Sequence, residues 1–110
     1  MRKLDLNITI KDKTVKDVPT FIIEVISNMI ARSCNKPNKD GVSTVNSNME
    51  TQRRYNKIMN TLESNKQGLV EMDGDDFDYM AKKFRSAEIP INRTYADVLI
   101  KIDNIFSQAK

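Results

Sequence analysis

The sequence predicts an α+β fold: an N-terminal β-hairpin, with room for a third short strand, packed on about four helices. Three observations predict it. Residues 3–10, KLDLNITI, alternate apolar and polar, as a strand with one wet face requires. Later stretches place apolar residues at i, i+3, i+4 and i+7, the spacing of one helix face, and each stretch has its own start or stop signal. No internal repeat divides the 110 residues, a length that suits a single small domain over 1–110 with one core.

In the opening stretch Leu4, Leu6, Ile8 and Ile10 point one way, and Lys3, Asp5, Asn7 and Thr9 the other. The polar KDK at 11–13 reads as a turn, and Thr14 and Val15 begin a return strand. Asp17 suits a helix N-cap, and Pro19 the first turn, where the missing N–H would have no intrahelical partner anyway. The helix runs to about Ser33, with Ile22, Val25, Ile26, Met29 and Ile30 on one face and Phe21 and Ile23 broadening it. FIIEVI is β-branched enough for a strand, but the length of the pattern and Pro19 favour helix.

Residues 35–47, NKPNKDGVSTVNS, lose all periodicity and read as a flexible loop, long for a compact domain. Ser47 and Glu50 form a capping box that opens a second helix carrying Tyr55, Ile58, Met59 and Leu62. That helix stops near SNKQG at 64–68, where Gly68 can turn left-handed. LVEM at 69–72 is extended, either an added strand or a linker. A third helix carries Phe77, Met80, Ala81 and Phe84, with Lys82, Lys83 and Arg85 at its C-terminal end, and Ile89-Pro90-Ile91 breaks it. Asn92 or Thr94 starts the last helix, whose face is Tyr95, Val98, Leu99, Ile102, Ile105, Phe106 and Ala109.

Asp73, Asp75, Asp76 and Asp78 crowd together before Phe84 and raise the question of a metal loop. An EF-hand counted from Asp73 needs an oxygen ligand at position 5, glycine at 6 and glutamate at 12. The chain has Phe77, Asp78 and Phe84 there. The helix reading explains more. Asp73 is placed as N-cap, and Asp75 and Asp76 in the first turn meet the positive end of the helix dipole. These carboxylates read as solvated, and no metal or other cofactor is expected.

The residue inventory limits catalysis. There is no histidine, which removes the usual base at neutral pH, the commonest metal ligand and every His-activated nucleophile. Cys34, the single cysteine, excludes an internal disulfide and reads as a half-buried structural thiol, although Arg32 and Lys36 beside it form a setting that can activate one. Three glycines and no GxxxxGK[ST] motif leave no phosphate loop. A non-enzymatic protein is expected.

Hydrophobic residues make up 39% of the chain and there is no tryptophan, so the core is lean and a homo-oligomer or partner surface is expected to supplement it. Of the six methionines, Met1 and Met49 are not needed for the core and suit adaptable contacts. The net charge is only +3. Two basic groups stand out as possible partner or phosphate contacts: Arg53, Arg54 and Lys57 on the wet side of the second helix, and Arg32, Lys36 and Lys39 around the long loop. Tyr55 lies among the first group but begins the apolar stripe, and so reads as core.

The opening residues contain no apolar h-region and no run is long enough for a membrane helix, so a cytoplasmic protein is expected, without membrane contact. KLDLNITIKDKTVKD followed by an apolar helix, then EMDGDDFDYMAKKF and YADVLIKIDNIF, resembles small accessory proteins encoded by bacteriophages. The resemblance implies a non-enzymatic role in host cytoplasm. The reading is a protein-interaction module: a small phage regulator, host-factor inhibitor or assembly accessory whose partner is a second copy or a host protein. Two alternatives stay open. One is a nucleic-acid accessory protein using the basic helix faces; the other is sequestration of a small anionic ligand at an oligomer interface.

Overall fold

Strand β1, Arg2–Asp5, pairs with β2, Leu69–Met72, in an antiparallel two-stranded sheet that sets Leu4 opposite Val70 and Lys3 opposite Glu71. The computed structural model describes residues 1–10, 15–34, 49–89 and 92–109, save the side chain of Thr94. Between and after the strands come α1 (Val18–Cys34), α2 (Met49–Glu63), α3 (Gly74–Ser86) and α4 (Arg93–Gln108). The class is α+β, with two antiparallel strands on four helices. The partner of β1 is the LVEM segment. Val15 is in no strand, and the expected turn at 11–13 and Thr14 lie outside the described residues, as do the capping residue Ser47 and the 35–47 loop. The reason is local: Val15 sits two residues before the Asp17 cap, whereas Val70 and Met72 alternate inward beside Leu4.

A tight turn sets the register. Lys66 and Leu69 exchange both backbone hydrogen bonds, and the residues between them, Gln67 and Gly68, have φ of 56° and 85°. Two positive φ values in succession match the right-handed twist of antiparallel strands. Leu6 N–H donates to the Gly68 carbonyl at 2.8 Å, and the Asn7 amide donates to the Gln67 carbonyl at 2.7 Å, which ties the turn to the end of β1.

Side-chain caps explain the starts of α1 and α4. The Asp17 carboxylate accepts from Thr20 N–H at 3.2 Å, and Asn92 accepts from Tyr95 N–H at 3.2 Å. Inward faces then merge. Ile22, Ile26 and Ile30 of α1, Ile58 and Leu62 of α2, Met80 of α3 and Ile102 of α4 are fully buried with Leu6 and Met72 in one apolar cluster. Phe106 meets Phe77 and Phe84 edge-to-face, with ring centroids 6.0 and 5.2 Å apart. Among the described residues, no helix is long and apolar enough to cross a membrane.

Candidate functional site

The inward faces of the helices are filled, and the outward side of the sheet lies beside the wet face of α2. They meet in a trough of about 1320 Å³. Its wall is a polar stripe on α2: Arg53, Asn56, Lys57, Asn60, Thr61 and Ser64. These residues recur at helical spacing opposite Ile58 and Leu62. Its floor is the outward side of the sheet, Lys3 and Asp5 from β1 with Leu69 and Glu71 from β2. Lys66 of the turn and Gln108 of α4 also line it.

Most charges at the site have partners. Lys3 and Glu71 approach to 4.0 Å across the strands, an exposed and therefore weak pair. Asp5 accepts from both the backbone and side-chain amides of Asn7. Lys57 reaches away from α2 to Asp76 at 3.0 Å and to Asp73 at 3.9 Å. The Asp76 hydrogen bond, followed by its charge, holds the Lys57 ammonium above its ordinary value.

The aspartate-rich segment does begin a helix. Asp73 is in the N-cap position and Asp75 and Asp76 are in the first turn. Two details differ from the sequence reading. The Asp73 side chain caps no amide among the described residues and faces Lys57 instead. Asp76 is buried, not solvated, at 4% exposure, because the same turn that carries it also delivers Phe77 to the core. Lys57 supplies the positive charge that such a carboxylate needs. Among the described residues, no group of three or more His, Cys, Asp or Glu side chains is placed to hold a metal ion.

A second cluster lies where α1, α2 and α3 meet. Arg54 sits 5.1 Å above the Tyr79 ring, and Lys83 is 5.7 Å from its centre. The Tyr79 hydroxyl contacts Cys34 Sγ at 3.8 Å. Burial, and then the contact with Cys34, push the Tyr79 phenol up to about 12. Cys34 is half-buried at the end of α1. Tyr55 packs against the core and hydrogen-bonds Ser27 through its hydroxyl.

The six basic residues singled out in the sequence therefore separate. Arg53 and Lys57 line the trough; Arg54 lies over Tyr79; Arg32 is exposed in the last turn of α1; Lys36 and Lys39 lie outside the described residues. Sequence reasoning missed Asn56, Asn60 and Lys66. The first two were readable as the wet stripe of α2, but nothing in the sequence placed Lys66 beside them before the turn was known. No family model matches the chain, and no curated protein or solved structure matches it.

Proposed function

We propose that this chain is a non-catalytic protein-interaction module that presents the trough beside α2 to a protein partner. The observation that carries the proposal is how the basic residues of α2 are used. Arg54 and Lys57 are engaged within the fold, by Tyr79 and by Asp76, and of the three Arg53 alone has no ion pair or ring contact among the described residues. A nucleic-acid interface would need the three together on phosphates, since affinity there grows with each phosphate neutralised. Sequestration of a small anion draws on the same bases and meets the same objection. Catalysis is disfavoured by the lack of histidine, and Tyr79 is moved further from the neutral range where a proton-transfer group works best. The reading includes self-association, and a regulator, inhibitor or assembly role for a bacteriophage in host cytoplasm.

Size-exclusion chromatography with light scattering, joined to a nuclease-treated pull-down from bacterial lysate, tests it. The expected result is a defined oligomer or a stoichiometric protein partner that survives nuclease. A strict monomer at high concentration that retains nothing, or retention abolished by nuclease, overturns the proposal.

A further inference from the structure

We infer that the trough receives an extended acidic peptide segment of the partner, with carboxylates four residues apart, on one face of the segment, facing Arg53 and Lys66. The inference rests on the interaction-module reading and names the chemistry of the partner. Charge is the first argument. The described lining carries four bases, Lys3, Arg53, Lys57 and Lys66, against two acids, Asp5 and Glu71. Both acids already have partners, and so do Lys3 and Lys57. Arg53 and Lys66 are exposed and take part in no ion pair among the described residues. By ion pairing among the described residues the trough keeps two unmatched positive charges, Arg53 and Lys66, against one unmatched negative charge, Asp5, which the neutral amides of Asn7 hydrogen-bond.

Their placement sets the spacing. Arg53 lies near the start of α2 and Lys66 just beyond its end. From Arg53 to Glu63, the last residue of α2 before the turn that carries Lys66, the helix rises about 15 Å. An extended chain covers that span in about four to five residues, and since its side chains alternate between faces, two that face the same way stand four apart. Between the two cations stand the exposed carboxamides of Asn56 and Asn60. A carboxamide both donates and accepts, which matches the peptide groups of an extended segment. At about 1320 Å³ the space exceeds that usual for a small-molecule site. The described lining contains no aromatic side chain on which a nucleobase could stack, so single-stranded nucleic acid fits less well than peptide.

The test uses three probes with the whole chain: a ten-residue peptide bearing two glutamates four positions apart in a Ser/Thr/Gly background, its glutamine counterpart, and an oligothymidylate. Binding is read by amide NMR shifts and fluorescence anisotropy at low salt. The glutamate peptide is expected to shift the amides of 53–66 and to bind about tenfold more tightly than the glutamine peptide. The double variant Arg53→Glu/Lys66→Glu should weaken the glutamate peptide by at least about tenfold while the melting temperature stays put, since both side chains are exposed. If that variant melts early, Arg53→Gln/Lys66→Gln replaces it, with the same order of affinities expected. Equal binding of the two peptides, no shifts with either, or tighter seating of oligothymidylate on the same residues overturns the inference. A partner captured equally well by the double variant also overturns it, and leaves the interaction-module reading intact.

Discussion

Helix α3 is tied to two of its neighbours, α2 and α4, by ion pairs that look alike on distance and differ in consequence. On one side Lys57 of α2 meets Asp76 at 3.0 Å; on the other Arg85 meets Asp103 of α4 at 2.7 Å. The shorter pair is the less important. Arg85 and Asp103 are each about half exposed, so water compensates either one when its partner is lost. The Asp76 side chain is only 6% exposed, and without Lys57 its charge would be left inside the protein. The α3–α4 seam has another support: Phe77 and Phe84 pack on Phe106 there. Burial, not bond length, ranks these contacts.

The largest expected effect is at the aromatic seam. Phe106→Ala should destabilise by about 3–5 kcal/mol in urea unfolding, because both ring contacts and a buried volume are lost. If it costs less than loss of the Lys57–Asp76 pair, the aromatic contact is not what holds α4.

Next comes an asymmetry within the buried pair. Lys57→Ala should lower the melting temperature more than Asp76→Ala, since the first leaves a buried carboxylate unpaired and the second leaves an ammonium in water. Equal losses would mean that Asp76 is readily hydrated. The pair also sharpens the comparison through pH. Lys57 is raised above 10.5 in the folded chain, so its contribution is complete below that pH and fades as pH climbs through the higher folded value. Tyr79, raised from 10.0 to about 12, loses its contribution over that interval. Alkaline unfolding curves of Asp76→Ala and Tyr79→Phe should each lose one of these two components.

The smallest effect is expected at the exposed pair. Arg85→Ala should change stability by less than about 1 kcal/mol, with the remaining effect screened by salt. A larger, salt-insensitive loss would place that pair beside the buried one.

Much of the fold was legible because helix faces announce themselves. The Ile22, Ile58 and Ile102 stripes and the caps at Asp17 and Asn92 required only local spacing. The inward alternation of Leu4 and Leu6 was likewise readable. The strand partner was harder to read: a strand's pattern states that it pairs, not with what. The candidate site was legible in halves. Arg53 and Lys57 stood out by charge, but engagement of Lys57 by Asp76 depends on how α2 and α3 pack, and the carboxamides beside them carry no charge to attract notice.

The sequence by itself determined the helices, their inward faces and the role of the aspartate-rich segment as a helix start, because these follow from spacings of a few residues along one chain. Only the tertiary structure decided that β1 pairs with Leu69–Met72, that Asp76 is buried against Lys57, and that Arg53 and Lys66 remain without ion-pair partners among the described residues. Those facts join residues far apart in the chain, and the desolvation that ranks the charges exists only once the elements have packed.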